Sequence, residues 1–70
     1  MISIILNGKK EEMEDGMNVA GLLAIKKIRP EVVTIELNDK IIEKSRYSET
    51  FLKESDRVEF VYYMGGGYAF

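Results

Sequence analysis

Residues 1–13 read MISIILNGKKEEM, and this stretch decides how the rest of the chain folds. Ile2, Ile4 and Leu6 alternate with Met1, Ser3 and Ile5, the two-residue period of a strand with one better-buried face. Asn7-Gly8 follows at once. That pair is the one best suited to the positive φ angles of a type I′ turn, so Lys9–Met13 returns as a second strand and the chain opens as a β-hairpin.

Beyond the hairpin, Glu14-Asp15-Gly16 is turn chemistry, and Asn18 is the expected helix N-cap, its side-chain oxygen accepting from a free N–H of the first turn. Met17 and Leu22 are spaced for a hydrophobic staple. Val19, Leu22, Leu23 and the stem of Lys26 fall at i, i+3, i+4 and i+7, one apolar stripe that a sheet can cover. Lys26, Lys27 and Arg29 suit the negative end of the helix, and Pro30 bars its continuation. Val33, Ile35 and Leu37 alternate with Thr34, Glu36 and Asn38 as a third strand, and Asn38-Asp39 turns the chain into a short segment, Lys40–Glu43. Ser45–Ser55 is polar and irregular, with Tyr47, Phe51 and Leu52 as its expected anchors. Val58, Phe60, Tyr62 and Met64 alternate with Glu59, Val61 and Tyr63 in the last and most apolar strand, which is expected at the centre of the sheet.

The order strand, strand, helix, strand, short strand, strand predicts an α+β layer: a mixed sheet with one main helix packed on one face. This is the plan of the β-grasp (ubiquitin-like) fold. Residues 1–64 are expected to form that domain and residues 65–70 a flexible Gly-rich tail.

Composition narrows the function. Seventy residues make one domain, and a chain this short buries only about 60% of the surface its unfolded form exposes. There is no cysteine and no histidine, so thiolate nucleophiles, disulfides, imidazole bases and the commonest metal ligands are all missing from the sequence. No catalytic residue of its own and no metal site are expected. A formal charge of −2 without a clustered basic face argues against nucleic acid as a partner. Met1–Leu6 lacks the basic flank and length of a signal peptide, and no apolar run approaches the roughly 20 residues that span a bilayer, so a cytoplasmic protein without a membrane partner is expected.

The last strand runs directly into Gly65-Gly66-Gly67, followed by Tyr68-Ala69-Phe70. Three consecutive glycines remove every side chain from a stretch beside the domain, which can then thread a channel too narrow for any Cβ and approach another protein's active site by its backbone. The competing reading is a frayed terminus. A phosphate-cradling loop is excluded, because no lysine, serine or threonine follows and no helix begins there.

The chain as a whole resembles the ThiS family of sulfur carriers of thiamine biosynthesis, within the ThiS/MoaD superfamily, over roughly residues 1–67. The resemblance rests on Leu6-Asn7-Gly8 after a first strand, Asp15-Gly16 before Val19-Ala20-Gly21-Leu22-Leu23, and the strand Val33-Thr34-Ile35-Glu36-Leu37-Asn38. It rests further on Ser55-Asp56-Arg57-Val58-Glu59-Phe60-Val61 and on Gly65-Gly66-Gly67 after that strand. It implies a carrier, not an enzyme. On that resemblance, its C-terminal glycine carboxylate is expected to be adenylated by an ATP-using activating enzyme and converted to a thiocarboxylate that donates sulfur. The family's terminal diglycine falls on Gly66 and Gly67, which places the activated carboxyl on Gly67 and leaves Gly65 as reach. The implied partners are that adenylyltransferase, a sulfur donor such as a cysteine desulfurase, and thiazole synthase or another acceptor. No cofactor is bound by the carrier itself; ATP is used by the activating partner.

Tyr68-Ala69-Phe70 departs from the pattern, since family members ready to act end at the diglycine. A peptidase cutting between Gly67 and Tyr68 would expose the carboxylate; the alternative is a harmless extension. Val61 and Tyr63, opposite in phase to the core-facing set, together with Ile5 are candidates for a partner surface, against ordinary two-sided packing of a central strand. Lys9, Lys10, Glu11, Glu12, Lys53 and Glu54 read as solvated surface, and the methionines as core filler. Two other functions stay open: a carrier for molybdopterin or sulfur amino-acid synthesis, and a β-grasp interaction module with an inert tail.

Overall fold

The hairpin forms in the register its turn dictates. In the computed structural model, which describes residues 1–62, β1 (Ile2–Leu6) pairs antiparallel with β2 (Lys9–Met13) from Ile2 opposite Met13 to Leu6 opposite Lys9. Asn7 and Gly8 take φ of 51° and 85°, the left-handed pair that keeps the turn in step with strand twist.

The single α-helix among the described residues, α1 (Val19–Lys26), begins where the Asn18 side chain accepts from the Gly21 N–H at 2.7 Å. A Cβ on Gly21 would stand 3.0 Å from both Asn18 Oδ1 and Met17 Sδ, so glycine at this position makes room for the cap. The helix ends before Pro30, at Lys27, which takes a left-handed conformation (φ 60°, ψ 42°) while its N–H and that of Ile28 return to the carbonyls of Ala24 and Leu23. Lys26 lies against β2, its Nζ 2.8 Å from Glu11 Oε1.

A 3₁₀ turn over Pro30–Val32 leads into β3 (Val33–Leu37), which turns through Asn38-Asp39 to β4 (Lys40–Ile42). A second 3₁₀ turn, Lys44–Glu49, precedes β5 (Arg57–Tyr62). The sheet order is β2-β1-β5-β3-β4; β5 is central, parallel to β1 and antiparallel to β3, as its apolar content predicts. Ile4 and Leu6 of β1, Val33 and Ile35 of β3, and Val58 and Phe60 of β5 bury one face of this sheet with Val19, Leu22 and Leu23 of α1.

Four sequence expectations are corrected. Met1 is not core filler: it is 75% exposed ahead of the first strand, whereas Met13 is buried. Phe51 is not an anchor: it is 53% exposed, whereas Tyr47 and Leu52 are buried. The reason is backbone pairing. The Val19 N–H donates to the Thr50 carbonyl and the Leu52 N–H to the Met17 carbonyl, and this antiparallel bridge turns Leu52 inward and Phe51 outward. Tyr62 shares the phase of Val58 and Phe60 but is 48% exposed, lying edge-on to Phe60 with a ring-centroid distance of 6.4 Å, so the apolar stripe of β5 closes at Phe60. The short fourth strand ends at Ile42, leaving Glu43 outside it. Met64, the expected boundary at residue 64 and the tail of residues 65–70 lie outside the described residues.

Candidate functional site

The candidate chemistry belongs to the chain beyond β5, so the described structure bears on it through how β5 is held. Three groups fix the strand's start. The Asn38 N–H donates to the Arg57 carbonyl at 2.7 Å, and Asn38 Oδ1 accepts from the Arg57 N–H at 2.8 Å, so one residue brackets Arg57 from the β3 side. The Ile5 N–H donates to the Asp56 carbonyl at 2.8 Å from the β1 side. Asn38 Nδ2 also donates to Asp56 Oδ1, whose other oxygen accepts from the Lys53 N–H.

The parallel ladder to β1 covers only Ile5 opposite Arg57 and Leu6 opposite Val58. Where β1 runs out, Asn7 continues its work: its N–H donates to the Val58 carbonyl at 2.9 Å, and its side-chain oxygen accepts from the Phe60 N–H at 2.8 Å. Asn7 is therefore both the turn residue of the hairpin and the last polar contact of β5 on that flank among the described residues. Beside it opens a cleft of about 330 Å³ bounded by Asn7, Lys9, Glu11, Lys26, Phe60 and Tyr62, with Lys26 and Glu11 joined across it. Ile28 lines this cleft and also a separate apolar groove of about 410 Å³ between α1 and the second 3₁₀ turn.

Of the expected partner surface, Val61 and Ile5 both face away from the core; Tyr63 lies outside the described residues, as do Gly65, Gly66, Gly67 and Tyr68. Val61 is 45% exposed and sits opposite Thr34, whereas Ile5 is half-buried between Lys10 and Arg57. Val61 lies four positions along β5 from Arg57, about 13 Å along the strand. The two share a face without meeting. What fills the space between is Glu59, directly opposite Glu36, with exposed Ile41 of β4 on the far side of Glu36. The alternation of β3 and β5 already gives both glutamates their outward phase; their opposition depends on the β3–β5 register, which local pattern does not contain. Among the described residues, no group of three or more histidine, cysteine, aspartate or glutamate side chains is placed to hold a metal.

Comparison with known proteins bears on what this strand leads to. The model of the ThiS family matches residues 4–67, from the first strand through the third glycine. The chain belongs to the ThiS family. Among ThiS relatives, the sulfur carrier protein ThiS of Bacillus subtilis is 38% identical over 63 residues, 89% of this chain and 96% of that protein. The crystal structure of the thiamine biosynthesis protein ThiS from Geobacter metallireducens superposes with a TM-score of 0.82 at 38% identity, covering 94% of this chain and 100% of that one, and confirms the β-grasp architecture. A thiazole synthase from Magnetococcus marinus is 35% identical over 66 residues. Those residues are 94% of this chain but 20% of the synthase, so the ThiS-like part is about a fifth of that longer polypeptide.

Proposed function

We propose that this ThiS-family chain is a sulfur carrier of thiamine biosynthesis, acting through the carboxyl of Gly67 as a substrate of other enzymes and not as a catalyst. The observation that carries the reading is the extent of the family match, which closes at Gly67 and leaves Tyr68-Ala69-Phe70 outside. A carboxylate is a poor electrophile until it carries a good leaving group. In the proposed sequence, an ATP-dependent adenylyltransferase joins the Gly67 carboxylate to AMP with release of pyrophosphate. The terminal sulfur of a persulfide, supplied by a donor such as a cysteine desulfurase, then attacks the acyl adenylate and displaces AMP to give an acyl disulfide. A second thiol reduces that bond, forming a disulfide with the carrier of the persulfide and releasing the Gly67 thiocarboxylate. Gly66 and Gly67 carry no side chain to obstruct the nucleotide site, and Gly65 lengthens the reach.

A thiazole synthase is the proposed acceptor, supported by relatives of that name that contain a segment similar to this chain. The proposed site of action is the cytoplasm; no helix among the described residues is long and apolar enough to cross a membrane. Because Tyr68-Ala69-Phe70 covers the reactive carboxyl, a peptidase cleaving the Gly67–Tyr68 bond precedes activation. Val61 and Ile5 belong to the face that the activating enzyme holds, and Tyr63, outside the described residues, is expected to act with them.

The test compares the 70-residue chain with one ending at Gly67, each incubated with activating enzyme and ATP and followed by pyrophosphate release and intact mass. The shortened chain is expected to be adenylated and the full chain inert. Adenylation of the full chain would remove the peptidase step, and failure of the shortened chain would overturn the carrier reading.

A further inference from the structure

The outer face of the sheet carries a local conflict that the fold does not need. Glu36 of β3 and Glu59 of β5 are direct cross-strand partners, and neighbours in such pairs hold their Cβ atoms about 4.5–5.5 Å apart, close enough for two carboxylates to repel. Among the described residues no cation forms an ion pair with either side chain. Arg57, two residues before Glu59 on the same face, instead holds Asp39 at 3.0 Å, and neither the Glu36 nor the Glu59 side chain has a hydrogen-bond or ion-pair partner among the described residues. Exposed apolar side chains lie beside the pair: Ile41, 68% exposed, opposite Glu36, and Val61, 45% exposed, two residues beyond Glu59.

This arrangement restricts what can cover the face. A partner drawn to Ile41 and Val61 must also cover the carboxylates between them, and burying two like charges without a counter-ion is unfavourable. A purely apolar partner is therefore rejected. A planar guanidinium suits the site, because its fork of donors can engage both carboxylates at once where a lysine supplies a single point charge. The partner's position is limited as well. From Tyr62 to Gly67 is five residues, which span at most about 18 Å, so an enzyme acting on Gly67 has its active site within that distance of the end of β5, the strand that carries Glu59 and Val61.

We propose that Glu36 and Glu59 are the recognition pair of the sheet face, receiving an arginine that the activating enzyme presents among apolar side chains. The pair is left unpaired in the free carrier and is neutralised on docking. This rests on the carrier reading above and adds the chemistry of the partner. It also predicts opposite signs for two measurements: neutralising either glutamate relieves repulsion in the free protein while it weakens the complex.

The experiment uses the chain ending at Gly67 and its Glu36→Gln, Glu59→Gln and double variants, with Glu14→Gln in the exposed loop before α1 as a charge control. Binding to the source organism's purified activating enzyme is measured by calorimetry at low and high salt, alongside steady-state adenylation and thermal melting. Each glutamine variant is expected to raise Kd and KM roughly tenfold while kcat at saturation and folding are retained, and the wild-type affinity is expected to fall more steeply with salt than that of the double variant. A double variant whose Kd stays within about twofold of wild type overturns the proposal. So does an equal loss in Glu14→Gln, which would assign the effect to net charge. If the wild-type chain ending at Gly67 neither binds nor is adenylated, the carrier reading itself falls and takes this proposal with it. Normal adenylation of wild type beside unaffected variants removes the recognition pair alone.

Discussion

Asn7 carries two separable burdens, and three substitutions measure them independently. Its backbone stands at φ 51°, where an ordinary L-residue pays about 1–2 kcal/mol and glycine pays almost nothing. Its side-chain oxygen is the acceptor for the part-buried Phe60 N–H. Asn7→Gly keeps the conformation and removes the acceptor, leaving that N–H without its partner at a cost of about 1–2 kcal/mol, to which the greater freedom of glycine in the unfolded chain adds about 0.5 kcal/mol. Asn7→Ala removes the acceptor and adds the backbone strain, for a total of about 2–4 kcal/mol. Asn7→Asp retains both an acceptor and tolerance of the left-handed region, and is expected within about 0.5 kcal/mol of wild type. A domain of this size has about 4–10 kcal/mol in all, so the alanine variant approaches the limit of folding. Urea denaturation followed by far-UV circular dichroism gives the three values, and the order Asp, Gly, Ala should also appear in melting temperature at about 4–8 °C per kcal/mol. Equal losses for glycine and alanine would refute the strain argument, and a glycine variant as stable as wild type would refute the role given to the Phe60 contact.

Other perturbations have distinct signatures. Leu22→Ala empties a fully buried position where α1 meets the sheet and is expected to cost about 2–5 kcal/mol, enough to leave much of the protein unfolded at 37 °C by circular dichroism. Lys27→Gly relieves the left-handed strain at the end of α1, partly offset by the greater freedom of glycine in the unfolded chain, and should raise stability by about 0.5 kcal/mol; a lower melting temperature would mean the Lys27 side chain makes a contribution of its own. Lys26→Met keeps the stem and removes the half-exposed pair with Glu11, so a loss of less than about 1 kcal/mol that shrinks with added salt is expected from denaturation at two ionic strengths.

The parts of the fold legible from sequence were those encoded over a few residues. Asn7-Gly8 announced a turn because few other pairs adopt two positive φ angles, and Asn18 announced a cap because the residues after it carry one apolar stripe. The apolar run of β5 placed it centrally because only a central strand can bury such a run. Phe51 misled because a large aromatic in a polar segment looks like an anchor, while its orientation is set by backbone pairing to residues 17–19, distant in sequence. Tyr62 misled because alternation gives the phase of a side chain but not where the covering layer stops. At the proposed site, the glycines are visible only as sequence, and they lie outside the described residues. Glu36 opposite Glu59 was not legible, since an offset of two residues in the β3–β5 register would pair different side chains on the same face.

The geometry of β5 ties stability to the proposed chemistry. A partner that takes up the segment after Tyr62 exerts its pull on the end of β5, and the two flanks of that strand are unequal. On one side β3 pairs with it from Leu37 opposite Val58 to Val33 opposite Tyr62; on the other, the ladder to β1 stops at Val58 and, among the described residues, only the Asn7 side chain reaches further, to Phe60. Loosening Asn7 therefore frees one flank of the strand's last residues while leaving the core face of Val58 and Ile35 in place. On the carrier reading, Asn7→Gly should then raise the KM for adenylation by more than its loss of global stability accounts for, because at temperatures well below melting nearly every molecule is still folded and only the root of the tail has changed. A KM equal to wild type in a variant destabilised as expected would mean that β3 alone suffices to aim the tail.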